Sequence, residues 1–124
     1  MVNDELAQRL GVQLPEDYRA YRDRGGGHLP PWKFLNDADV PGIRDSIVSH
    51  YPRYAAYMPF AYSLASDDVA LFTPEGKVCE VHMFTESGWE SGGEVESFRE
   101  WLRLTMEEVI YHLELAAKRK RGGI

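Results

Sequence analysis

One segment, residues 58–84, constrains the fold more than any other part of the chain, because it predicts three consecutive β-strands. Apolar or alternating runs cover residues 58–62, 69–72 and 77–84. The two intervening segments contain Asp, Pro and Gly, residues that favour turns. The middle run is short and almost wholly apolar, which is typical of a central strand. The segment therefore predicts an antiparallel β-meander.

The alternation in this segment indicates which side chains share a face of the predicted sheet. In the first run Met58, Phe60 and Tyr62 fall on one side. The third run has a period of two, which is typical of a sheet with one dry face. One face of this run carries Cys79, Val81 and Met83, and the other face carries Glu80 and His82.

Helices flank the meander on both sides in sequence. Asn3 is a predicted N-cap of a helix that ends at Gly11, and Pro15 predicts the first turn of a second helix that ends at the glycines 25–27. Residues 42–51 have apolar side chains four apart and predict a third helix. Residues 32–35 predict a short strand at the edge of the sheet, and residues 85–94, rich in Ser, Gly and Glu, predict an acidic loop.

A long C-terminal helix is predicted from Phe98 to about Lys118. The sequence Ser97-Phe98-Arg99-Glu100 matches a capping box. The helix is expected to lie over the sheet through one apolar stripe, flanked by Trp101 and Met106. That stripe consists of Phe98, Leu102, Thr105, Val109, Leu113 and Ala116.

These elements predict one α+β domain over residues 1–124, an antiparallel β-meander sheet packed by N-terminal helices and a long C-terminal helix. A chain of 124 residues with 44% hydrophobic content can fill a single core. A basic tail, residues 118–124, follows the expected end of the helix. The sequence has neither an apolar run of about 18 residues nor a leader pattern, so we expect a cytoplasmic protein without a membrane role.

Charge is distributed unevenly along the chain. The net charge is -6, but four of the 14 basic residues lie at 118–121, so residues 1–117 carry 10 positive and 20 negative charges, a formal -10. Residues 67–108 hold 11 acidic and 3 basic side chains. This balance argues against nucleic-acid binding by the globular body, and favours either a basic partner or an acidic surface that only aids solubility.

The sequence offers little catalytic chemistry. The single cysteine, Cys79, lies within an apolar strand and is expected to be a buried hydrophobe. The four histidines lack metal-site spacing, and the pair Asp67-Asp68 is more typical of a turn than of acid–base catalysis. We therefore expect no enzyme activity, no metal and no cofactor.

Three motifs together resemble the SUKH superfamily, which includes bacterial immunity proteins and fungal cell-wall-synthesis regulators. They are Leu14-Pro15-Glu16-Asp17-Tyr18, the meander that begins at Pro59, and the segment from Ser97 to Leu102. The order and separation of these motifs match the family over residues 14–104. The chain departs from the family pattern at Arg22, where many members have an apolar residue, and at Arg24, where they often have Asn.

The resemblance implies a domain that binds other proteins and performs no reaction. In many bacterial members it implies an immunity protein that neutralises a toxin, often a basic nuclease. The partner-binding residues predicted here are carboxylates of the acidic stretch and two tryptophans, each of which is either an interface anchor or a core residue. They are Asp67, Asp68, Glu86, Glu90, Trp89 and Trp32. The alternatives are a regulatory or scaffold domain of the cell-wall-regulator type and a small ligand-binding protein or hydrolase.

Overall fold

The computed structural model describes residues 1–86 and 88–121, and in this part of the chain it contains four α-helices and five β-strands. The elements in chain order are α1 (Asp4–Arg9), α2 (Glu16–Asp23), β1 (Trp32–Phe34), α3 (Val40–His50), β2 (Met58–Ser63), β3 (Asp68–Phe72), β4 (Val78–His82), β5 (Ser91–Val95) and α4 (Phe98–Arg121), with a 3₁₀ turn at Pro52–Tyr54. The predicted α+β class with a long C-terminal helix is confirmed. Residues 122–124 of the predicted basic tail lie outside the described residues, whereas residues 118–121 form the end of α4.

The five strands form one antiparallel sheet in the order β1-β2-β3-β4-β5. The apolar strand β3 is central, and β1 lies at an edge, as the sequence predicts. The loop predicted at residues 85–94 is wrong in part, because Ser91–Val95 forms the other edge strand. Its side chains are mostly exposed, so pairing with β4 rather than burial holds this strand in the sheet.

A β-bulge in β2 modifies the predicted alternation. The register shifts between Pro59 and Ala61, and Met58, Phe60 and Ala61 all join the same core. Tyr62, expected beside Met58 and Phe60, is only partly buried and packs against the cores of both sheet faces. The prediction of one shared side therefore holds for the first two residues and is wrong for Tyr62.

The larger core lies between the sheet and the helices α1, α2 and α4. Tyr18 of α2 is fully buried at its centre, and its ring packs edge-on against Phe60, Phe72 and Phe98 with centroid separations of 5.8, 5.0 and 5.2 Å. The Tyr18 hydroxyl accepts a hydrogen bond of 2.9 Å from the amide of Val2. The motif that carries Tyr18 thus places an aromatic anchor under α4.

The opposite face of the sheet is also covered. Ile47 of α3 packs with Tyr51 and Tyr54 against a layer of aliphatic and cysteine side chains. This layer consists of Val69, Leu71, Cys79 and Val81. Burial raises the pKa of the Cys79 thiol to about 12, so the residue is a core hydrophobe, as the sequence predicts.

Among the described residues, the buried side chains of α4 lie in its first two turns. The Ser97 hydroxyl accepts a bond of 3.1 Å from the amide of Glu100, and the Asp17 carboxylate accepts one of 2.8 Å from the amide of Arg99. The side chain of Glu100 binds Arg103 instead of completing a capping box. The buried residues of α4 are Phe98, Trp101 and Thr105.

The prediction that α4 lies over the sheet along its whole stripe is therefore wrong. Trp101, expected to flank that stripe, is 1% exposed and belongs to the core, whereas Leu113 is 64% exposed. The helix leaves the sheet after Thr105, and residues 106–121 project beyond it. In the described residues no helix combines the length and the hydrophobicity that crossing a membrane requires.

The departure at Arg22 has a structural explanation. Its guanidinium donates hydrogen bonds of 2.9 Å to the carboxylate of Asp4 and of 3.1 Å to the carbonyl of Val2. The residue therefore links α2 to α1 and to the N-terminal segment.

Candidate functional site

The residues predicted to bind a partner gather at one end of the sheet. The register pairs Trp32 with Ser63 and Asp68 with His82, so the start of β1, the turn 64–67 and the loop 83–90 all lie at this end. We call it the loop end. It brings together predicted residues from three separate parts of the sequence.

Two of the predicted residues are buried at this end and are not surface contacts. Glu90 is 2% exposed, and its carboxylate accepts a 2.7 Å bond from the amide of Gly88 and lies 3.3 Å from Nε of Arg53. Hydrogen bonds from its own amide and from that of Gly88 hold the pKa of Glu90 below its usual range. Glu90 therefore organises the loop from inside. Trp32 is 8% exposed and packs edge-on against Trp101 at 5.4 Å.

The exposed side chains of the loop end include large apolar groups. Trp89 is 76% exposed, Phe84 80% and Leu64 69%. Glu86 and Asp67, which lie within three residues of these apolar groups in sequence, are also exposed. Asp67 accepts a hydrogen bond from the Tyr62 hydroxyl. Phe84 was not predicted to bind a partner, because it continues the alternating pattern of β4 and is typical of a strand residue. Its backbone has left the strand with a φ of 66°, which points the chain into the loop.

A groove of about 880 Å³ lies between α4 and the sheet near this end. Side chains of all five strands, among them Asp68 of β3 and Glu80 of β4, form its floor, and residues 101–113 of α4 form one wall. Its lining residues are Pro30, Pro31, Trp32, Ser63, Ala65, Ser66, Asp68, Glu80, Val95, Trp101, Leu104, Thr105, Glu108, Val109, His112 and Leu113. The groove exists because α4 leaves the sheet after Thr105.

Glu80 lies at the centre of the groove floor. It is partly buried on β4, where it pairs with Ala70, and it accepts a 3.0 Å hydrogen bond from the indole Nε1 of Trp101. Burial raises the pKa of its carboxyl, and the bond from Trp101 opposes that shift. The sequence placed Glu80 on a polar face but gave no sign of this burial.

Two further carboxylates line the groove. Asp68 accepts a 2.8 Å bond from Nδ1 of His82 at the loop end. On the wall, Glu108 lies 3.8 Å from Nε2 of His112 on the next turn of α4. The groove thus carries three acidic groups, and among the described residues that line it there is neither lysine nor arginine.

Four other carboxylates of the acidic stretch have basic neighbours. Lys77 lies near Glu94 and Glu96 at 3.7 and 3.6 Å, and Arg103 binds both Glu100 and Glu107. Basic side chains therefore lie beside four of the carboxylates between residues 67 and 108. The groove is a smaller and more specific concentration of negative charge.

The arrangement is suited to binding a ligand that carries both apolar and cationic groups. Apolar walls of proline, tryptophan, leucine and valine can exclude water from a ligand, while the carboxylates can bind cationic groups. The hydroxyl of Ser66 donates a 3.1 Å hydrogen bond to that of Ser63. In residues 1–86 and 88–121 there is no group of three His, Cys, Asp or Glu side chains positioned to hold a metal ion.

Comparison of the chain with protein-family models, with curated proteins and with solved structures found no match.

Proposed function

We propose that this chain is a protein-binding domain without catalysis, an immunity-type protein that neutralises a basic, nuclease-type toxin. The observation that carries the proposal is the groove beside α4, which combines apolar walls with Asp68, Glu80 and Glu108. A basic side chain of the partner would enter this groove and meet the three carboxylates. Nuclease active sites are basic because they bind phosphates, so an acidic groove is complementary to them.

The exposed aromatic groups of the loop end supply the second part of the proposed contact. Charge complementarity mainly accelerates association, and an exposed ion pair contributes only about 0–1 kcal/mol. Strong binding requires apolar anchors that become buried. Trp89 and Phe84 meet this requirement, because both are largely exposed at the same end of the sheet as Asp68.

A survival assay tests the proposal. The product of the neighbouring gene is expressed in a sensitive host, alone and together with this chain. We expect loss of viability when the neighbouring product is alone and recovery when the chain is present. Unchanged survival without the chain, together with recovery of no basic protein in a pull-down from the producing strain, would reject the immunity role.

A small-molecule ligand is the second candidate, because the groove has the volume of a typical ligand site and contains a carboxyl with a raised pKa. The chemistry favours an organic cation with an apolar body. Spermidine is a suitable probe, and a binding site for this class predicts a rise in the melting temperature on its addition. An unchanged melting temperature in saturating spermidine would argue against this candidate.

A further inference from the structure

The part of α4 beyond Thr105 lacks the cover that its sequence requires. Residues 106–121 extend over about 24 Å, and this length is mostly exposed. Met106, Ile110 and Leu113 are 46%, 51% and 64% exposed. Little of the chain therefore covers this part of α4.

One face of this helix is continuous from the groove to the basic end. Thr105, Val109, His112, Ala116 and Arg119 recur at intervals of four, three, four and three, so they lie along one face of the helix. We call this set the α4 seam. Its first three members line the groove, and its last two continue beyond it.

The basic end of the helix has the chemistry that the groove can bind. Lys118, Arg119, Lys120 and Arg121 form the last turn of α4, and in the described part of the chain none of them forms an ion pair. The groove carries three carboxylates. Within a single chain the basic turn cannot contact the groove, because it lies at the end of a straight helix that is far from Glu80.

In a symmetric pair of chains, the basic turn of each copy can contact the groove of the other. Arg119 and Thr105 are each seven residues from His112, a distance of about 10 Å along the helix. If two α4 helices pack antiparallel about a two-fold axis at His112, Arg119 of one copy stands level with Thr105 of the other. That level is one turn from Trp101, whose indole binds Glu80.

We propose that the groove and the α4 seam form a homodimer interface in which each copy places its basic helix end against Asp68, Glu80 and Glu108 of the other. The contact is isologous, so the same surface serves both copies and the assembly closes at two. The small side chain of Ala116 stands opposite the Glu108–Val109 turn and permits close approach of the helices. The dimer occupies the same three carboxylates as the proposed toxin contact, so the two contacts are mutually exclusive and a toxin enters the groove only when the second copy has left. This inference goes beyond the proposed function, and its test uses the chain alone.

Sedimentation velocity over a range of concentrations measures the dimer directly. We expect the native chain to be dimeric at high concentration, with a dissociation constant that rises with salt. The double variant His112→Glu/Ala116→Glu places like charges across the seam and is expected to weaken the dimer at least about 100-fold. The control Ile110→Glu/Ala117→Glu changes the charge equally but lies off the seam, and it is expected to dimerise like the native chain.

Three outcomes would overturn the proposal. The native chain could stay monomeric up to about 0.5 mM. The seam and control variants could lose the dimer equally, or the seam variant could remain dimeric. Circular dichroism checks that both variants are folded.

Disulfide cross-linking provides a second measurement that does not depend on charge. A cysteine introduced by His112→Cys lies on the two-fold axis and is expected to form a covalent dimer under mild oxidation. Glu114→Cys lies on the opposite, charged side of the same helix and is expected to cross-link at least about ten times more slowly. Buried Cys79, with its raised pKa, does not interfere. Equal rates for the two variants would contradict the antiparallel seam.

Discussion

The indole of Trp101 donates a 3.0 Å hydrogen bond to the carboxylate of Glu80, and this contact joins α4 to the middle of β4. It also marks the boundary between two halves of the sheet face. On one side of Trp101 lies the aromatic core around Tyr18, and on the other lies the open acidic groove. The same tryptophan therefore completes the core and forms an inner wall of the candidate site.

Trp101 and Trp89 provide a matched pair for testing the core. Trp101→Ala removes a side chain that is 1% exposed and is expected to lower the free energy of unfolding by about 3–5 kcal/mol. Trp89→Ala removes one that is 76% exposed and is expected to change it by less than about 0.5 kcal/mol. Urea denaturation of both variants checks the prediction. A large loss at Trp89 would show that the loop 83–90 is part of the core.

Glu80→Gln is expected to stabilise the fold near neutral pH and to have no effect at low pH. The folded-state pKa of Glu80 is raised above its ordinary value of 4.5, so folding disfavours the charged form. Below that value the carboxyl is protonated in both states, and the penalty appears as the pH rises through the folded-state pKa. Glutamine keeps an acceptor for Trp101. The gain is expected to be no more than about 1 kcal/mol, since the carboxyl is partly solvated.

Denaturation of the native chain and Glu80→Gln near pH 7 and near pH 4 measures this difference. A variant that is less stable than the native chain near pH 7 would mean that the charged form of Glu80 is favoured by folding.

Ser97→Ala is expected to lower the free energy of unfolding by about 1 kcal/mol, because it removes the side-chain acceptor at the start of α4. Ser49→Ala, an exposed change within α3, is the control and is expected to cause no loss, because alanine favours the helix. Thermal unfolding of the two variants compares them. Equal stability of both would indicate that Asp17 alone is sufficient to cap the helix.

Cys79 is expected to be unreactive in the folded chain. Burial raises its pKa to about 12, so almost no thiolate is present near pH 8. A thiol-reactive dye should label the native chain slowly and the urea-unfolded chain rapidly. The variant Glu114→Cys, with an exposed thiol on α4, is the positive control. Rapid labelling of the native chain would show that the second core opens.

Local signals in the sequence were sufficient for most of the fold. Asn3 accepts the predicted cap bond from Leu6 at 2.8 Å, and the apolar run of β3 is central, because capping and hydrophobic burial depend on near neighbours or on composition. Strand β5 was missed for the opposite reason. Ser91–Val95 has little strand propensity, and tertiary pairing with β4 determines its conformation.

The site was predictable in part. The turn residues Asp67 and Asp68 and the loop residue Trp89 were identified from sequence, and the register of the sheet brings them to one end. The ion pair of Glu90 with Arg53 joins residues far apart in sequence, so no local pattern reveals it. The groove itself depends on where α4 leaves the sheet, which is a tertiary property that helical periodicity does not specify.

The central claim is that the groove binds a basic toxin. Binding of the purified product of the neighbouring gene to the native chain and to two charge variants tests this claim most directly. Asp68→Asn/Glu108→Gln removes two charges from the groove, whereas Glu75→Gln/Glu114→Gln removes two exposed charges outside it. We predict that the groove variant binds at least about tenfold more weakly, with a smaller dependence on salt, and that the control binds like the native chain. No binding by the native chain would contradict the function, and equal binding by the two variants would contradict the site.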